Sequence, residues 1–91
     1  PEQQNTGHFR WAYSLFSQKK LSEALDQFNF VKAQGGNYGP AGSYYAGYIE
    51  YTQQDYANAL IDLKRAELSA AYATVVPVYI AQTLFKQGKN D

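Results

Sequence analysis

Cysteine and methionine are both missing from the 91 residues, histidine and tryptophan occur once each, and proline three times. Without cysteine there is no disulfide framework, no thiolate metal site and no cysteine nucleophile, and the redox compartment is left open. A lone His8 rules out a multi-histidine metal site within one chain. An excess of either charge is lacking too: eight Lys and Arg offset eight Asp and Glu. That balance removes the electrostatic footprint of a nucleic-acid binder or of an anionic-membrane binder. No run of about 18 apolar residues exists, so no segment is expected to insert into a membrane. The absence of methionine leaves either a processed start or a piece of a longer protein, and the second is expected because the last helix would lack the partner helix of its repeat.

Catalytic signals are equally scarce. Ser14, Ser17, Ser22, Ser43 and Ser69 stand in no nucleophile-elbow or other recognisable setting. The stretch GGNYG has neither the preceding strand nor the lysine of a phosphate loop, and Lys19 with Lys20 reads as a turn, too small for a nucleic-acid site. His8 is expected to be a helix-start or packing residue. No catalytic residue, metal ligand or cofactor is therefore assigned.

What the chain has in quantity is aromatic side chains: nine Tyr, five Phe and one Trp. They fall at helical spacing. A polar lead-in, residues 1–6 with Asn5 or Thr6 as N-cap, precedes a helix with Trp11, Ala12 and Leu15 on one face and Phe9, Tyr13 and Phe16 on another. After the turn SQKK, Leu21, Ala24, Leu25, Phe28 and Val31 form an amphipathic stripe that leaves Glu23, Asp26 and Lys32 for solvent. Gly35 and Gly36 end that helix. Pro40 suits the first turn of the next one, which carries Tyr44, Tyr48 and Tyr51. A turn at TQQD leads to a fourth helix with Tyr56, Ala59, Leu60, Leu63 and Ala66 inward. There Asp62 and Glu67 are expected on the solvent face, as Glu23 and Asp26 are on the second helix.

Both stripes repeat. The apolar set beginning at Leu21 recurs at Tyr56, and the aromatic set beginning at Phe9 recurs at Tyr44, each 35 positions later. The segment TVVPVYIAQTLFKQGKND fits as a third copy of the first helix alone, 34 positions on, placing Ala81 where Gly47 stands and Phe85 where Tyr51 stands. The reading is an all-α chain of about five helices: repeat one near 5–38, repeat two near 40–73, and a half repeat near 74–91. Glu50 is the anomaly, because its register is held by Leu15 in the first copy and Leu84 in the third. A slight rotation that brings Glu50 to water is the expectation, with a functional buried charge as the alternative.

A helix–turn–helix unit of about 34 residues with small residues at fixed places resembles the tetratricopeptide repeat family. Gly47, Tyr56, Ala59, Leu63 and Ala66 fall on the family's positions in the second copy, and Ala12, Leu21, Ala24, Phe28 and Val31 in the first. The usual proline after the second helix is replaced near Ala71, and the first linker is one residue long of the common period. Ala12, Gly47 and Ala81 stand where two helices approach closely, and a larger side chain would force them apart.

The resemblance implies a right-handed superhelix of antiparallel helix pairs, two full repeats plus one helix, acting as a non-catalytic scaffold for a protein or peptide. It puts the first helices on a concave face, so that Tyr13, Tyr44, Tyr48, Tyr51, Gln82 and Phe85 would meet the partner, beside Phe9, Phe16 and Val78. A cluster clamping a terminal carboxylate is not expected, because the matching places are mostly aromatic or small. Glycan or peptidoglycan-fragment binding by the tyrosine groove is the alternative. The phrases GPAGSYYAGYIEYTQQDYANAL and VVPVYIAQTLFKQGK also resemble segments of bacterial envelope and outer-membrane-associated members, a hint of the bacterial periplasm or of outer-membrane association. A bare last helix, chiefly Ile80 and Leu84, would offer a route to a homodimer.

Overall fold

The computed structural model describes residues 2–88, with side chains from residue 7 onward. Five α-helices make up the described chain: α1 (Glu2–Ser17), α2 (Leu21–Gln34), α3 (Gly39–Thr52), α4 (Tyr56–Glu67) and α5 (Val76–Lys86), with a 3-10 turn, Gly36–Tyr38, ahead of α3. No strand occurs among the described residues. The first helix starts at Glu2, ahead of the cap expected at Asn5 or Thr6. Glu and Gln are good helix formers, so the polar lead-in carries the helix instead of breaking it.

The repeat is visible in the backbone itself. Lys19 and Gln54, 35 positions apart, adopt left-handed conformations with φ of 64° and 67°. In each turn the following amide reaches back across the end of the helix: Lys20 N donates to Leu15 O at 2.9 Å, and Asp55 N to Glu50 O at 2.8 Å. Lys19 N donates to Phe16 O at 3.0 Å and Gln54 N to Tyr51 O at 3.1 Å. This paired bonding satisfies the last helical carbonyls, usually with glycine at the left-handed position. Lysine and glutamine there cost about 1–2 kcal/mol in backbone sterics. Sequence punctuation by glycine did not mark either turn.

Packing follows the stripes. Ala12, Ala24, Phe28, Ala46 and Ile49 are fully buried in one cluster, and Leu63, Ala66 and Val76 in a second. Ala59 is also fully buried, and Gly47 is buried. Each helix packs chiefly on the one before and the one after, and α3 also touches α5. Stacking in chain order rather than around a single centre gives an elongated body of 45 × 27 × 18 Å.

Helix α3 is where this stacking is tightest. A methyl group on Gly42 would stand 3.0 Å from the Lys32 amide nitrogen and 3.1 Å from the Phe28 carbonyl oxygen, both backbone atoms of α2. On Gly47 it would stand 2.9 Å from Leu63 Cγ and 3.2 Å from the Leu63 amide nitrogen of α4. Helix α3 thus touches both neighbours at near-backbone distance.

On α5 the inward face is Val76 and Thr83, fully buried, flanked by half-buried Tyr79 and Ile80. Two expectations change here. Ile80 packs against the Leu63–Ala66–Val76 cluster and Leu84 is half-buried, so neither lies bare. The large apolar side chains that α5 leaves to solvent are Val78 and Phe85. Ala81 is exposed, because no described helix lies against the face of α5 that corresponds to Gly47.

Gly42→Ala and Gly47→Ala should each lower stability by about 1–3 kcal/mol through overpacking, despite a gain of about 1 kcal/mol in helix propensity. Gly7, exposed on α1 with nothing within 4 Å of the place a methyl group would take, gives the control: Gly7→Ala should stabilise by about 0.5–1 kcal/mol. Urea denaturation of the three variants checks the order.

Candidate functional site: an aromatic groove over a buried charge cluster

Rings from alternate helices meet along one side of the molecule. Phe16 of α1 contacts Tyr45 and Tyr48 of α3 with centroids 5.5 and 5.8 Å apart, and Tyr79 of α5 contacts Tyr48 at 5.8 Å and Tyr44 at 6.1 Å. Most of these pairs are edge-to-face, the arrangement the ring quadrupole favours. They enclose a depression of about 220 Å³ lined by Phe16, Tyr44, Tyr45, Tyr48 and Tyr79. A second hollow of about 340 Å³ shares the Phe16 and Tyr48 walls and continues over Lys19, Leu21 and Thr52.

Two of the tyrosine faces are already covered. Tyr44 stacks on Tyr72 at 4.7 Å, and Tyr45 on Phe28 at 5.1 Å. Burial first, then the neighbouring Tyr79 phenol, pushes the Tyr44 phenol up to about 12. Burial also raises Tyr45 and Tyr72. The groove therefore presents neutral phenol hydroxyls and ring edges.

Of the residues expected to face a partner, Tyr44 and Tyr48 line the depression. Tyr13, 47% exposed, stands at its rim against Tyr45 and Phe16. Tyr51 turns to Tyr56 of α4, at 5.9 Å. Gln82 and Phe85 are exposed and do not line the depression. Tyr45, Tyr72 and Tyr79 escaped the sequence reading, which followed one tyrosine stripe. A usable signal existed for two of them, since Tyr45 and Tyr79 share one register 34 positions apart.

Charge lies behind the groove. Lys32 Nζ donates to Asp62 Oδ1 at 2.8 Å, joining α2 to α4, with Asp62 almost wholly buried. Both were expected on solvent faces. Periodicity within one helix sees only its own core, whereas the outward side of α2 meets an acid of α4 thirty residues on. Glu50 of α3 joins them: it is 6% exposed, so it does not rotate to water. Its carboxyl lies beside that of Asp62, and Oε1 is buried with no hydrogen-bond partner. Burial, then the Asp62 carboxylate, push Glu50 up to about 8 against the opposing pull of Lys32. Two buried acids thus face one cation, and it is Asp62 that accepts from Lys32.

A third hollow of about 540 Å³ opens at Gly7, His8, Trp11 and Phe30, at the α1–α2 contact. His8 packs on Phe30 with centroids 4.1 Å apart, and its Nδ1 donates to Gln27 Oε1 at 3.0 Å. No group of three or more His, Asp or Glu among the described residues could hold a metal ion, and no described helix is long and apolar enough to cross a membrane.

Lys32→Met should cost about 3 kcal/mol, because it leaves buried Asp62 and Glu50 without a cation. Asp62→Asn should cost less, since Glu50 can then ionise and take over Lys32. Chemical denaturation at pH 7 distinguishes the two. Compared with protein-family models, curated proteins and solved structures, the chain matches none, so a functional reading has to come from these residues.

Proposed function

We propose that the chain is a tetratricopeptide-like interaction module, a non-catalytic scaffold that takes a peptide segment of a protein partner in the groove of α1, α3 and α5. The observation that carries the reading is the continuous row of rings from Phe16 through Tyr48 to Tyr79, with Tyr45 also against Phe16, bordered by hollows of side-chain size. Tyrosine supplies large contact area with little rotamer freedom to lose, and its hydroxyl adds directional bonds. The repeated turn at Lys19 and Gln54 and the buried small residues Ala12, Ala24, Gly47 and Ala59 support a tandem array as the framework. The resemblance to envelope segments is our ground for placing the module in the bacterial periplasm.

Between a peptide and a glycan, the covered ring faces favour the peptide. A sugar ring needs an open aromatic face to lie on, and those of Tyr44 and Tyr45 are stacked on Tyr72 and Phe28. Peptide side chains can enter between ring edges and accept hydrogen bonds from the phenols.

A peptide selected from a random display library should bind saturably and lose tenfold or more in affinity with Tyr48→Ala, which corresponds to about 1.4 kcal/mol. Peptidoglycan fragments should give no saturable tyrosine fluorescence response. A saturable glycan response lost in Tyr48→Ala, with no peptide recovered, would replace this reading by the glycan one.

A further inference from the structure

We propose that Glu50, Asp62 and Lys32 form a proton-operated clasp at the junction of the two helix pairs, closed when Glu50 carries its proton and weakened when the proton leaves. The geometry contains two buried carboxyls and one ammonium. Lys32 Nζ stands 2.8 Å from Asp62 Oδ1, and Glu50, 6% exposed with its Oε1 unpartnered, is buried beside that same Asp62. Two carboxyl groups buried side by side avoid mutual repulsion when one of them keeps its proton. Asp62 is neutralised by the lysine, so Glu50 is the group that keeps it. Loss of the proton leaves two buried negative charges facing one positive charge.

Each member comes from a different helix: Lys32 from α2, Glu50 from α3, Asp62 from α4. The remaining charge that bears on Glu50 is Asp55, at the start of α4, which adds to the repulsion. Helices α1 and α5 meet α3 through rings, Phe16 and Tyr79 among them. The clasp is absent from the repeat pattern. The register of Glu50 holds Leu15 in α1 and Leu84 in α5, and that of Asp62 holds Gln27, which bonds His8 instead. Repeat architecture therefore does not require these charges, and an apolar residue fills the place of Glu50 in both other copies. What the charges add is a response to pH at one junction.

The sign follows from the raised pKa of Glu50. The folded chain holds a proton there up to about pH 8, whereas an unfolded glutamate releases it near its ordinary value of 4.5. Between those values the folded state binds the extra proton, so stability falls as pH rises and levels off above about 8. One proton corresponds to about tenfold in the unfolding constant per pH unit.

Two measurements test the clasp. In urea unfolding from pH 5 to 9, the unfolding constant of the wild type should climb relative to that of Glu50→Gln by about tenfold per unit up to about pH 8 and then level off, because glutamine mimics the protonated acid and cannot titrate. In the wild type, the side-chain carboxyl carbon of Glu50, followed by NMR, should titrate with a midpoint near 8 and move to lower pH in Asp62→Asn. Parallel pH curves for wild type and Glu50→Gln, or a carboxyl midpoint in the ordinary glutamate range, would overturn the proposal. If Glu50→Gln does not fold, the wild-type carboxyl titration decides alone.

Discussion

The approach of α3 to the helices on either side of it is the constraint on which the rest of the molecule depends. At Gly42 the backbones of α3 and α2 leave no room for a methyl group, and at Gly47 α3 sits against the Leu63 side chain and backbone of α4. Helices held this close keep Phe28, Ile49 and Leu63 dry, with Ala46 and Ile49 of α3 in the first core cluster and its half-buried Tyr44 against the second. The aromatic groove is a consequence. With α3 drawn inward, Tyr44, Tyr45 and Tyr48 stand between rings from α1 and α5, and the row of edges closes into a lined depression.

The same closeness explains why three charged side chains share one buried space. Lys32 lies on α2 at the residue whose backbone meets Gly42, and Glu50 lies one residue past the Ile49 that fills the first cluster. An acid placed there finds no water and no free cation, only Asp62 with its lysine already bound. A buried pair of this kind gives little net stability compared with well-packed apolar residues. Its more distinctive property is that it responds to a single proton.

Much of the architecture was legible in the sequence. Leu21, Ala24, Leu25, Phe28 and Val31, with their copies at Tyr56, Ala59, Leu60, Leu63 and Ala66, mark the inward faces of α2 and α4, and the 35-residue register appears again in the two left-handed turns. Five helices lie where the spacing put them, although α1 starts earlier than its expected cap. The site was legible only in part. Tyr44 and Tyr48 were found because they follow one helix face, and Tyr45 was not, because it points to the helix pair before it and stacks on Phe28. Pairing of Lys32 with Asp62 could not be read from periodicity, since each is polar on the outer side of its own helix and their meeting depends on how two helices lie together. Glu50 was visible as an anomaly, yet whether an acid in an apolar row turns to water or stays buried is decided by neighbours that only the structure supplies.

Residue-resolved native-state hydrogen exchange measures most directly whether α3 holds the molecule together. Amides from Ala46 to Glu50 should be the slowest in the protein and should exchange only through global unfolding, while those of α1 and α5 open earlier through local events. Faster exchange in α3 than in α1 or α5 would contradict the central place given to it.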